Sequence, residues 1–286
     1  MAAAAAASSD PPQDRTHPAA MMAFALPTHG VNINAVLYSA AGASAHPTLL
    51  LLHGIPGNEQ NLDLARAVQR AGWNVLTLHY RGSWGSPGHY SFAHCLQDAA
   101  AALDWLRDPA SPVAAQIDRS RIVIAGHSLG GFVAAYVAGH DPALAGAALI
   151  SPTHYLGDPL DGMTRAQLTD VWEGILKNRA GMHTVGDATA QQLAAETLRH
   201  VSDWDLRRVA PALARHPLLL VSSDDGNGPS NERLAAEVER QAGARVTRVH
   251  FATDHSYDDQ RLALTAAVLA WLSDLRAGEA GAGQAP

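Results

Sequence analysis

The stretch RIVIAGHSLGGFVAAYVAG, residues 121–139, sets a Gly-His-Ser-Leu-Gly-Gly cluster inside a nearly uncharged run. Its centre, GHSLG, matches G-x-S-x-G, in which a serine occupies a strained strand-to-helix turn and the flanking glycines keep neighbouring backbone clear. Ser128 is therefore a candidate nucleophile, raised above a sheet beside the positive end of the following helix dipole. The β-run RIVIAG and the short helix after Gly131 are each too brief to cross a bilayer, so the apolar stretch resolves into strand, sharp turn and helix.

A serine hydroxyl is a poor nucleophile until a base takes its proton, and the base needs an acid to orient it. For this type of turn the chain order is serine, acid, histidine, each in a loop after a strand. The run HPLLLVSS leads into DDGNGPSN, which offers Asp224 and Asp225; the run ARVTRVHF leads into ATDHSYDD, which offers His255. With fifteen histidines in the chain, position has to decide. His250 falls inside a β-run and is expected to pack or cap the sheet. His127 is locked in the elbow, expected to point away from the serine in a structural role. A tetrahedral oxyanion also requires preorganised donors. The Leu129 N–H is the first candidate, and the second comes from the glycine-rich loop HGIPGNEQN, where Pro56 has no N–H and Ile55 is the best-placed amide.

The elements that must carry these loops are visible in the pattern. Strands are expected at 32–38, 47–53, 73–80, 121–126, 146–151, 216–223 and 244–251, several apolar throughout, as strands covered on both faces are. Helix-period stripes alternate with them, including Phe92, Cys95, Leu96, Ala99, Leu103 and Leu106, then Leu264, Val268, Trp271, Leu272 and Leu275, and an earlier Leu64, Val68 and Ala71. This alternation predicts an α/β layer fold with a mostly parallel central sheet flanked by helices. From Pro152 to about Arg215 no strand is legible. A connection that long reads as a helical cap, about 152–215, over a site at the sheet edge.

A chain of 286 residues holds one substantial core, so a single domain over 23–276 is expected, with unstructured extensions at 1–22 and 277–286. A 16% charged fraction and a net charge of −7 without a basic tract argue against nucleic acid and anionic lipid as partners. Cys95 is the only cysteine, which suits a reducing, cytoplasmic setting; on a buried helix stripe it reads as a core residue rather than a nucleophile. No H-E-x-x-H or C-x-x-C pattern supports a metal, and GNGPSN is not a dinucleotide fingerprint, so no cofactor is expected.

With HGIPG, YRGSWGSPG, GHSLGG, SSDDGNGP and TDHSY in this order, the chain resembles the α/β-hydrolase superfamily over roughly residues 23–275. More narrowly it is similar to bacterial serine esterases and to the catalytic domain of acylaminoacyl and prolyl peptidases. The resemblance implies Ser128 as nucleophile, Ile55 and Leu129 as oxyanion donors and His255 as base. It favours Asp225 over Asp224 as the acid, because family members often carry D-x-x-x-P here and Asp225 lies four residues before Pro229. It implies Arg81 as a brace behind the site, and leaves Trp84 either lining the substrate pocket or packed under the cap, an ambiguity shared by Trp172 and Trp204. The absence of room for a β-propeller lowers the peptidase reading, and the serine counts against aspartate-nucleophile chemistry. The expectation is an ester hydrolase acting on a small molecule through an acyl-enzyme, with amide hydrolysis or a non-catalytic ligand-binding scaffold as the alternatives.

Overall fold

Alternating apolar strands and amphipathic helices assemble into one layered unit in a computed structural model, which describes residues 9–153, 155–157, 163–177 and 184–282, with side chains through residue 276. The strands are β1 (Ala20–Thr28), β2 (Val31–Ser39), β3 (His46–Leu52), β4 (Asn74–Leu78), β5 (Ile117–His127), β6 (Gly146–Ile150), β7 (Pro217–Ser223) and β8 (Arg245–Phe251). They form an eight-stranded sheet in the order β1-β2-β4-β3-β5-β6-β7-β8. The β1–β2 and β2–β4 pairs are antiparallel and the remaining five are parallel. The helices are α1 (Leu62–Arg70), α2 (Phe92–Arg107), α3 (Leu129–His140), α4 (Arg165–Lys177), α5 (Ala190–His200), α6 (Leu206–Leu213), α7 (Gly228–Glu239) and α8 (Arg261–Ala282).

The period-2 alternation of a strand explains the two-sided core. In β3, Leu50 and Leu52 join Phe92 and Leu103 of α2 and Phe132 of α3, whereas Leu49 and Leu51 join Leu64 and Val68 of α1 and Val268 and Leu272 of α8. All four leucines are at most 1% exposed, and each such side chain contributes roughly 1.5–3 kcal/mol by leaving water. Parallel pairing then sets the carboxyl ends of β3, β5, β6, β7 and β8 along one edge of the sheet, where loops from distant parts of the chain meet.

The sequence-based boundaries shift at both ends. β1 begins at Ala20, inside the stretch read as the extension 1–22, and Gly42 N–H donates to His17 O at 3.0 Å, so structure starts before residue 23. Its sequence AMMAFALPT alternates weakly hydrophobic alanines with larger groups and carries Pro27, which dilutes the strand signal. At the other end α8 runs to Ala282, beyond the expected boundary of 276; residues 1–8 and 283–286 lie outside the described residues. β4 is shorter than 73–80, and β5 is longer than 121–126.

Between β6 and β7 the described residues form α4, α5 and α6 with no strand; residues 154, 158–162 and 178–183 of the expected cap lie outside them. Apolar rings hold this insertion to the core. Phe92 packs on Trp172 and Trp204 with ring centroids 4.8 and 6.2 Å away, and Phe132 lies 6.1 Å from Trp204. One polar tie adds direction: the buried Glu196 carboxylate of α5 accepts the Phe92 and Ala93 N–H groups, both at 3.0 Å, at the positive end of α2.

Candidate active site

β5 enters the site through its buried half, Ile122–His127, and leaves it through Ser128, whose φ of 58° and ψ of −119° lie where few L-residues settle. Such a conformation costs on the order of 1–3 kcal/mol and persists only where the surroundings over-determine it. Here they do. Ser128 N–H donates to Ile150 O at 2.9 Å, while Ser128 O accepts from Gly131, Phe132 and Thr153 N–H at 3.0, 3.2 and 3.0 Å. A Cβ on Gly126 would sit 2.0 Å from Gly130 O, so the turn closes only with glycine at that position. A Cβ on Gly54 would fall 2.9 Å from Ser128 Cβ, which is how closely the loop after β3 approaches the serine.

Ser128 and His255 line one cavity of about 170 Å3, together with Gly54, Ile55, His127 and Ser256 and the polar Asn58 and Glu59. His255 Nδ1–H donates to Asp225 Oδ2 at 2.6 Å, an assignment that leaves Nε2 as the basic nitrogen. The Asp225 side chain is 2% exposed. Burial opposes its charge, but the bonds from His255 and from Asn227 N and Nδ2, at 2.8 and 2.9 Å, outweigh burial and hold its carboxyl well below the usual carboxylate range. The Ser128 hydroxyl makes no hydrogen bond among the described residues, and in unliganded sites such contacts commonly tighten only when substrate arrives.

The neighbouring Asp224 is placed elsewhere. Its side chain is 65% exposed and faces His250 Nε2 at 3.3 Å, while Nδ1 of His250 lies 3.0 Å from Ser222 Oγ. Of the two aspartates left open by the residues alone, only Asp225 meets His255.

His127 takes the structural role expected of it. Its ring lies 4.6 Å from the His255 ring, and its Nε2–H donates to His255 O at 2.7 Å. Burial and then the neighbouring His255 push its pKa down to about 3, so it stays neutral and fixes the loop as a donor. Leu129 and Ile55 N–H have no backbone acceptor in a turn or loop among the described residues, and Leu129 opens α3, where the first N–H groups have no partner within the helix.

Arg81 and Trp84 stand behind the site and do not line the cavity. Arg81 Nε bonds buried Asp98 at 2.7 Å and its Nη2 bonds Gln97 at 2.6 Å, pinning the loop after β4 to α2. Trp84 stacks on His79 at 5.9 Å, donates its indole N–H to Pro56 O at 2.5 Å, and its backbone N–H reaches Thr184 O at 3.1 Å.

Sequence reasoning passed over three supports. Fully buried His53 donates Nδ1–H to Gly54 O at 2.7 Å and accepts from His79 Nδ1–H at 3.4 Å; burial above all lowers its pKa to about 4. Tyr257 OH, Ser151 Oγ and Ser223 Oγ form a buried chain with steps of 2.7 and 3.0 Å under the acid and histidine loops. Arg261 bonds Asp63 Oδ1 at 2.5 Å, Asn61 Oδ1 at 3.0 Å and Ser256 O at 2.8 Å, tying the donor loop to the histidine loop. The His-Gly pair after β3 was the available signal for the first of these. Among the described residues no group of three or more His, Cys, Asp or Glu could hold a metal ion, and no helix is long and apolar enough to cross a membrane.

Comparison with known proteins fits this arrangement. Over 126 residues the chain is 34% identical to the alpha/beta hydrolase domain-containing protein WAV2 of Arabidopsis thaliana, covering 43% of this chain and 39% of WAV2. It is 34% identical over 100 residues to the lysophosphatidylserine lipase ABHD12 of Rattus norvegicus, covering 34% of this chain and 23% of that protein. The matches therefore span well under half the length of these curated relatives. The solved carboxylesterase EstE1, cloned from a metagenomic library, shares the fold with a TM-score of 0.61 at 23% identity, covering 96% of this chain and 93% of its own. The model of the alpha/beta hydrolase fold family matches residues 47–228. That match runs from β3 to the first residue of α7, well over half of the sequence, and the chain belongs to the α/β-hydrolase fold family.

Proposed function

We propose that the chain is a serine hydrolase that cleaves carboxylic esters of small molecules through an acyl-enzyme. The observation that carries this is the His255–Asp225 contact at 2.6 Å, with the imidazole lining the same cavity as a serine held in a strained elbow. In the forward half-reaction Ser128 Oγ attacks the ester carbonyl while His255 Nε2 takes its proton. The Ile55 and Leu129 N–H groups receive the oxyanion, and Asp225 stabilises the imidazolium. Collapse breaks the bond to the alcohol, whose oxygen takes the proton from His255. Water then repeats the sequence, releasing the acid and restoring the serine. No step calls for a cofactor.

The insertion between β6 and β7 serves as the cap in this reading, with α5 and α6 held to the core through Trp204, Phe132 and Glu196. The Cys95 thiol, fully buried and pushed well up in pKa chiefly by that burial, is a packing residue suited to a reducing, cytoplasmic compartment.

Ser128→Ala is expected to reduce hydrolysis of a nitrophenyl ester by several orders of magnitude and to abolish labelling by a fluorophosphonate probe. Near-normal turnover in the purified, folded variant refutes the mechanism. Matched ester and amide substrates decide the bond, and a clear preference for the amide overturns the esterase reading.

A further inference from the structure

The cavity that holds Ser128 and His255 is also lined by Asn58, Glu59 and Ser256, and Ile55 is the one residue with an apolar side chain among its described lining. Glu59 is the acidic member of that lining, which includes no lysine or arginine among the described residues. A group bound here meets polar walls and a negative charge.

The Glu59 carboxylate is fixed on one oxygen and open on the other. Its Oε1 accepts the Asn61 N–H at 2.5 Å and lies 3.6 Å from Arg261 Nη2. Its Oε2 makes no bond among the described residues, and the side chain is 32% exposed. Arg261 does not cancel this charge. Its Nε and Nη2 bond Asp63 at 2.9 and 2.5 Å, Nη2 also bonds Asn61 Oδ1 at 3.0 Å, and Nη1 bonds Ser256 O at 2.8 Å. Asp258 adds its charge to those of Asp63 and Glu59 around the same guanidinium. One cation thus stands against three carboxylates, and each of its nitrogens is already bonded within the protein.

The same guanidinium sets Glu59 beside the leaving group. Arg261 Nη1 holds Ser256 O on the histidine loop while Nη2 faces Glu59, so the carboxylate and that loop both contact one flat group. The leaving oxygen must come within hydrogen-bond reach of His255 Nε2 to take its proton. The alcohol portion is accordingly the part of the substrate that passes along this wall.

We propose that Glu59 is a specificity-determining residue and that the cavity takes esters whose alcohol portion carries a cationic, ammonium-type group. This rests on the ester-hydrolase reading above. Between protein walls such a charge draws a cation toward the serine and turns away an alcohol bearing a carboxylate or phosphate.

The test compares butyrylcholine with neohexyl butyrate, in which a tert-butyl group replaces the trimethylammonium and keeps its shape. The kcat/KM ratio of the charged to the neutral ester is expected to fall about fivefold to tenfold in Glu59→Gln, a comparison in which the intrinsic reactivity of each ester cancels. The wild-type ratio is expected to fall severalfold as salt rises from about 20 to about 200 mM, and this decides the question if Glu59→Gln does not fold. Asp104→Asn removes a charge at a residue outside this cavity and is expected to leave the ratio unchanged; equal falls in the two variants overturn the assignment to Glu59. Butyl trimethylammonioacetate and butyl tert-butylacetate carry the same pair of groups on the acyl side, and a Glu59-dependent preference confined to them overturns the alcohol assignment. A folded Glu59→Gln protein that reacts with a fluorophosphonate and keeps the wild-type ratio overturns the proposal. A wild-type protein that neither labels nor hydrolyses any of the esters overturns the hydrolase reading instead.

Discussion

The loops that bear Asp225 and His255 are held by directional bonds of 2.6 to 2.9 Å, whereas the insertion between β6 and β7 is held chiefly by aromatic rings whose centroids lie 4.8 to 6.2 Å apart. The contrast matches what each region does in the proposed reaction. Proton transfer fails if an imidazole is misplaced by an ångström, so its support must specify direction. Ring packing specifies mainly that space is filled, and a pocket built that way changes its volume when one ring changes.

The largest effect that sharpens the contrast is at the acid. Asp225→Asn is expected to lower kcat on an ester by about 10⁴, as in the serine–histidine–aspartate template. The adjacent Asp224→Asn is expected to stay within about twofold. Equal losses at both positions break the distinction between a residue that directs His255 and one that faces His250.

On the packing side, Trp204→Ala is expected to cost about 3–5 kcal/mol in urea unfolding. A loss of turnover as large as that of Asp225→Asn, at full occupancy by fluorophosphonate, would show that the insertion positions the chemistry as well.

Acid separates the two kinds of support next. His53 is buried and neutral, with its folded pKa lowered from 6.5 to about 4. The unfolded chain therefore binds a proton between pH 6.5 and 4 that the folded chain refuses, so this group's stabilisation is complete above pH 6.5 and is lost as pH falls toward 4. The change is on the order of 3 kcal/mol. Unfolding free energy measured across this window is expected to fall with pH, and His53→Gln, though less stable overall, should show a shallower slope.

The smallest effect tests the polar tie within the apolar region. Glu196→Gln is expected to cost about 1–2 kcal/mol by weakening the charge-assisted bonds to Phe92 and Ala93, read from thermal unfolding.

What the sequence made legible follows the same division. The apolar strands β3, β5, β6 and β7 announce themselves because both faces must avoid water, and Ser128 is marked by glycines that steric contact requires. His255 and the aspartate pair follow from chain order after the strands. The resemblance already favoured Asp225 through its spacing to Pro229, and three dimensions supply the physical reason: Asp225 meets the imidazole while Asp224 faces His250. β1 escaped notice because an edge strand of alanine and methionine needs little hydrophobic contrast. The supports at Tyr257 and Arg261 were hidden for another reason: each acts through partners distant in the chain, as in the Arg261–Asp63 pair, where spacing carries no information.

Trp84 touches both regions. Its indole holds the carbonyl of Pro56, next to the Ile55 amide, and its own amide is bound to Thr184 at the start of the segment leading into α5. One bicyclic side chain and its own peptide therefore tether the loop after β3 and the approach to α5 to the same point of the chain.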